Sequence, residues 1–146
     1  MTTPASQRRL SLRVEHQDRA KALLPIALAG LVIAFGLAVA GLPPVDLHGP
    51  LHRLGIMDPL CGGTRALRLA ARGDVTGALA WNPLSPILLA GAVAVAVRHA
   101  MGALTGRWVN VRIATDRRLL IAAAVLVVLL EIRQQTNATM LMRTGY

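Results

Sequence analysis

ALLPIALAGLVIAFGLAVAGL, residues 22–42, contains no charged side chain. As a helix rising about 1.5 Å per residue, a run of this length reaches roughly 30 Å, the thickness of a bilayer's hydrocarbon core. Pro25 sits in the first turn, where a missing N–H costs little, and Pro43-Pro44 stops the run. The rival reading is a cleaved signal peptide, because Ala38-Val39-Ala40 resembles a cleavage site. A signal core is usually only about 7–15 residues long, so the stretch reads as a membrane span.

The rest of the composition agrees. Of 146 residues, 54% are hydrophobic and only 16% are charged, too apolar for an ordinary soluble surface, and the length suits one domain. The net charge of +9 comes from fifteen Arg and Lys21. A basic chain binds nucleic acid when its charges form a stripe interleaved with aromatics. Here Phe35, Trp81, Trp108 and Tyr146 are scattered, no nucleic-acid module is visible, and the basic residues collect between apolar runs, so nucleic acid is not an expected partner. A single Cys excludes an intramolecular disulfide and a dithiol cycle within one chain.

A second run starts at Asn82-Pro83, where Asn can cap and Pro suits the first helical position, and continues to Val97. Arg98 and His99 are placed to snorkel to the interface, and Trp81 and Trp108 bracket the span as anchors. The third run, Leu119–Leu130, is short alone; with Asp116 as cap, Arg117 and Arg118 as snorkels, and continuation past Glu131 to about Gln134, it becomes long enough. Gly30, Ala34 and Ala38 on the first span, and Ala90-Ala94 and Ala92-Ala96 on the second, allow close helix contacts. Ten basic residues lie in the N-terminal arm and the 98–118 loop, against six in the 43–82 loop and the tail. Positive charge favours the cytoplasm, which puts the N-terminus inside and the 43–82 loop outside.

That loop holds IMDPLCGGTRALRLAARGDVTGALAWNPL, residues 56–84. Gly62-Gly63-Thr64 reads as a turn into a helix with Thr64 as its cap. Arg65, Arg68 and Arg72 then recur on one face among apolar neighbours, the pattern of an interfacial helix. Gly73 suits the end of this helix and Asp74 the cap of the next, which leads back to Asn82-Pro83. The same stretch resembles the signature of an uncharacterised family of small bacterial membrane proteins, Cys-Pro-x-Cys-Gly-x-Thr-Arg-Ala, then Gly-Asp, then Ala-x-x-x-Asn-Pro. Pro59, Cys61, Gly62, Thr64, Arg65, Ala66, Gly73, Asp74, Ala78, Asn82 and Pro83 match in order and spacing. Asp58 stands where the first motif Cys usually is, and a further upstream family Cys falls near His48. The resemblance covers about residues 44–97 and implies a three-span layout; no activity comes with it.

The expectation is an all-α integral membrane protein of the bacterial inner membrane, N-terminus cytoplasmic. It comprises a basic arm (1–21), one membrane domain (22–134) with spans at about 22–42, 83–99 and 117–134, and a polar tail (135–146). An interfacial or re-entrant helical hairpin, within loop 43–82, joins the first two spans. The leading function is a non-enzymatic scaffold or accessory subunit that binds lipid, a membrane protein partner or a second copy through the motif loop. Its polar cluster is Asp58, Cys61, Gly62, Thr64, Arg65, Gly73, Asp74, Asn82, Pro83 and Glu131, with Arg65 pairing with Glu131 or a loop Asp to staple the hairpin onto the bundle. No cofactor is expected. The alternative is a membrane-embedded enzyme or metal protein centred on His52, Asp58 and Cys61, with His48 as a further zinc or transition-metal ligand. A nucleophilic Cys61 with His52 as base has the right residue types but no visible oxyanion group.

Overall fold

The computed structural model describes residues 10–43, 54–113 and 116–142. The chain runs β1 (Leu10–Glu15), α1 (Leu23–Ala40), α2 (Gly63–Ala71), α3 (Val75–Trp81), α4 (Leu84–Thr105), β2 (Trp108–Ile113), α5 (Arg117–Thr136) and α6 (Ala138–Leu141). Helices α1, α4 and α5 are each long and apolar enough to cross a membrane. At about 1.5 Å per residue they reach roughly 27, 33 and 30 Å. The second span therefore carries its helix past His99 to Thr105, where Gly106 closes it in a left-handed conformation. The short third apolar run becomes a helix of spanning length because Asp116 accepts the Leu119 N–H at 2.8 Å and the helix continues through the polar residues to Thr136.

Helices α1 and α4 pack side by side. Ala27 and Ala34 are buried on α1, Gly30 and Ala38 are partly covered, and on α4 it is Ala92 and Ala96, not Ala90 and Ala94, that are partly covered. Small side chains let two backbones approach where lipid supplies no hydrophobic drive. Along 119–129, by contrast, α5 is exposed on every face, and it meets the rest of the described chain at its C-terminal end.

Two departures from the sequence reading stand out. The described chain is not all-α: β1 and β2 form an antiparallel ribbon with Leu12 opposite Val111, Val14 opposite Val109 and Glu15 opposite Trp108. Each strand alternates apolar and polar residues, the period-two pattern of a half-buried strand. The second departure concerns Thr64, which does not cap α2. The helix begins one residue earlier, at Gly63, with Gly62 at the cap position in a left-handed conformation and no side-chain cap bond. Between the first two spans lie two short helices, α2 and α3, joined at Gly73-Asp74. The Gly73 N–H bonds the Ala70 carbonyl and the Asp74 N–H that of Leu69, the paired closure that a left-handed Gly73 permits. The Asp74 carboxylate then accepts from Gly77 N at 2.8 Å and starts α3.

Candidate functional site

The motif residues converge where α2, α3 and the start of α4 meet the C-terminal end of α5. Asn82 is buried at the centre. Its side-chain carbonyl accepts the Leu84 N–H at 2.9 Å, which caps α4 next to Pro83, while its amide donates to the carbonyls of Pro59 (2.9 Å) and Cys61 (3.0 Å). Both of its N–H donors and one acceptor site go into joining a turn to a helix start. Ser85, one turn on, donates to the Gly63 carbonyl at 3.0 Å.

The third span closes the site with three consecutive residues. Gln134, fully buried, donates to the Cys61 carbonyl at 2.7 Å and the Trp81 carbonyl at 3.3 Å. Arg133 donates to the carbonyls of Leu79 (2.8 Å) and Ala80 (3.1 Å). Gln135 accepts from Met57 N at 2.9 Å and donates to the Gly55 carbonyl at 3.0 Å. Leu79, Ala80 and Trp81 carry the last carbonyls of α3, which have no partner within that helix. A cation and an amide from α5 thus terminate α3, and the positive charge also complements its dipole. The sequence points to an ionic link between these two segments and does not single out Gln134 or Gln135. The only local signal was three hydrogen-bonding side chains directly after an apolar run.

Around this node, Met57, Cys61 and Leu141 form a small buried cluster against Trp81, Ala138 and Met140. Gly62 has to be glycine twice over. Its φ is +73°, and a Cβ there would lie 2.8 Å from Leu141 Cδ2 and 3.3 Å from Trp81. Asp58 makes the local turn, accepting Leu60 N on its carboxylate (2.7 Å) and Cys61 N on its carbonyl (3.0 Å). The Cys61 thiol is pushed above its ordinary range, first by burial and then by the Asp58 carboxylate, with a smaller contribution from Glu131. Glu131 is partly buried at this end of α5.

The basic residues of α2 differ in their surroundings. The Arg65 guanidinium lies over the Trp81 ring, 4.6 Å from its centre, a cation–π distance. Arg68 is partly buried against the end of α1, and Arg72 is exposed. Of the four metal-ligand candidates, Asp58 and Cys61 stand together, whereas His48 and His52 lie outside the described residues. Among the described residues no three His, Cys, Asp or Glu side chains gather as a metal site.

A second polar node sits at the opposite end of the bundle, beneath the ribbon. Arg98 does not snorkel freely: it donates to Asp18 at 2.9 Å, to the Asn110 side chain at 2.8 Å and to the Val109 carbonyl. Asn110 is buried, accepts the Arg19 N–H as well, and donates to Glu15 and the Gln17 carbonyl. His99 approaches Asp18 at 3.4 Å. The Arg98 guanidinium holds the Asp18 carboxyl below its usual range against an opposing effect of burial. The Trp108 ring lies on Gly102, where any Cβ would collide with it. The ribbon's polar face thus docks on α4, while Leu12, Val14, Val109 and Val111 remain exposed on the other.

Residues 50–96 match the model of a family described as a protein of unknown function (DUF2752). The match begins early in the segment between the first two spans and runs through both short helices into α4, so it contains the Asp58–Pro83 stretch but neither the ribbon nor the third span. No curated protein and no solved structure matches the chain.

Proposed function

We propose that this chain is a small membrane scaffold or accessory subunit, non-enzymatic, whose motif loop is a preformed docking element for lipid or a partner protein. The observation that carries this reading is how the motif's polar groups are employed. Asn82 spends both amide donors and its carbonyl on three internal hydrogen bonds, Asp74 caps α3, Asp58 forms a turn, and the Cys61 thiol is buried and kept protonated. These groups hold a backbone shape rather than wait for a substrate. The shape they hold carries Arg65, Arg68 and Arg72 on α2, in a segment that also exposes Leu60 and Leu79, a composition suited to a membrane boundary. Arginine suits bidentate phosphate or carboxylate contacts.

We read the chain as a bacterial inner-membrane protein, and the ten-to-six charge bias supports a cytoplasmic N-terminus with the motif loop on the outer side. The ribbon is compatible with this, since it joins residues 10–15 to residues 108–113 across two spans. Reporter fusions after Gly106 and after Tyr146 are expected on opposite sides of the membrane.

The direct test of the docking role is a photo-crosslinking residue at Leu60, compared with one at Val125 on the exposed third span. A discrete lipid or protein adduct at Leu60 and only diffuse lipid labelling at Val125 is the expected result. Indistinguishable labelling at the two positions would remove the docking role. Stoichiometric zinc or copper in the purified protein, lost in Cys61→Ser, would replace it with a metal site built on His48, His52, Asp58 and Cys61.

A further inference from the structure

Helices α1, α2 and α4 do not close completely on one another. They leave an apolar cavity of about 180 Å³, bounded by Gly30 on α1, Leu67 on α2, and Ser85, Leu88 and Ala92 on α4. This exceeds the ~150 Å³ of an apolar cavity known to admit benzene. Directly after Leu67 comes Arg68, whose Nε is buried with no hydrogen-bond partner among the described residues. Its Nη2 lies 3.9 Å from where a Cβ on Gly41 would stand, at the end of α1. A guanidinium nitrogen removed from water without a partner is costly, and Arg at membrane depth ordinarily meets an anion or a carbonyl.

The depth of the two features identifies the ligand. Gly41 and Gly30 are eleven residues apart on α1, or about 16 Å along the helix. Half of a ~30 Å hydrocarbon core is about the same distance. The cavity itself runs from Ser85, at the motif-loop end of α4, to Gly30 and Ala92, so a headgroup held at Arg68 would send its acyl chain down α1 along it toward mid-membrane, the reach of one leaflet. We propose that Arg68 and the cavity between α1, α2 and α4 together form a binding site for one anionic phospholipid from the leaflet on the motif-loop side, the phosphate on Arg68 and one acyl chain against Gly30 and Ala92. The proposal rests on the docking role of the motif loop and names lipid as the ligand of its α2 face.

Native mass spectrometry of the full chain in detergent, titrated with phosphatidylglycerol or phosphatidylcholine, tests it. One phosphatidylglycerol per chain is expected, held at least tenfold more tightly than phosphatidylcholine. Arg68→Gln should abolish the preference so that the two lipids bind alike. Gly30 lines the cavity and has open space at its Cβ position, so the side chain of Gly30→Leu would occupy the cavity and should weaken both lipids at least tenfold with Arg68 in place. Equal binding of the two lipids by the parent protein, or undiminished binding by Gly30→Leu, would overturn the proposal. Millimolar inorganic phosphate should leave the lipid bound. Its displacing the lipid equally from the parent and from Gly30→Leu would reduce the site to a phosphate contact and overturn the acyl assignment. A dimer abolished by Gly30→Leu, with no lipid retained, would give the cavity to a second copy instead. A protein adduct at Leu60 that survives Arg68→Gln keeps the scaffold reading even where the lipid site fails, so the two fail separately.

Discussion

The side chain of Gln134, on the third span, reaches the main-chain carbonyl of Cys61, in the motif turn, at 2.7 Å. That carbonyl also receives the amide of Asn82, from the start of the second span. One peptide oxygen is thus where two membrane helices and the loop are joined. Neutral amides suit this task in buried surroundings, because they satisfy buried carbonyls without the desolvation cost of an ion pair.

Replacing Gln134 with Leu should remove two donors from fully buried surroundings while keeping volume. Leaving buried carbonyls short of a partner costs about 1–3 kcal/mol. Thermal unfolding in detergent should show a clear loss of stability for Gln134→Leu and for Asn82→Ala. Because both residues serve the Cys61 carbonyl, the double variant should depart from additivity by about 0.5–3 kcal/mol. Strict additivity would mean that the two amides act independently.

Gly62→Ala should also be strongly destabilising, by two separable effects. A left-handed conformation costs a residue with a Cβ about 1–2 kcal/mol. The new methyl would also press on Leu141, 2.8 Å away. Leu141→Ala costs buried packing of its own; within that background, Gly62→Ala should lose the steric part of its cost and keep the conformational part. No cost of Gly62→Ala in the Leu141→Ala background would mean that the backbone angle matters little.

Cys61 should be a slow thiol. Reaction requires the thiolate, and burial together with the Asp58 carboxylate disfavours it. In membranes containing intact protein, maleimide should label Cys61 at least tenfold more slowly than a cysteine placed at exposed Thr76 in a Cys61→Ser background. Comparable rates at neutral pH would reinstate Cys61 as a nucleophile candidate.

Asp18 gives the ribbon end an acid-sensitive contact. Its carboxyl is lowered from an ordinary value of 3.8, chiefly by the hydrogen bond from Arg98. A lowered folded-state value means that the stabilisation is fully present above the unfolded value and is lost as pH falls through the folded one. Between pH 7 and 5 the Asp18–Arg98 contribution should therefore be constant, and it should decline below about pH 4. Asp18→Asn should melt lower than the parent at pH 7, and the gap should narrow toward pH 3. A gap unchanged across that range would show that the contact contributes nothing through charge.

Much of this protein is written locally. An uncharged run from 22 to 42 has to become a helix in lipid, since its backbone has no water to bond with. Asp74, Asn82 and Asp116 announce helix starts because capping depends on the two or three residues that follow, and each accepts such a bond in the structure. The left-handed turn at Gly73 is legible for the same reason. Other features were beyond local reading. The alternation in Leu10–Glu15 and in Trp108–Ile113 suggests strands, yet a strand is completed only by its partner, and these partners stand more than ninety residues apart. Arg98 appears in sequence as a snorkel at a helix end; only the ribbon folding back over α4 brings Asp18 and Asn110 to it. Likewise, Gln134 and Gln135 look like the polar margin of a span. Their importance comes from the turn carbonyls they meet, which only packing brings within reach, because a hydrogen bond acts over about 3 Å whatever the distance along the chain.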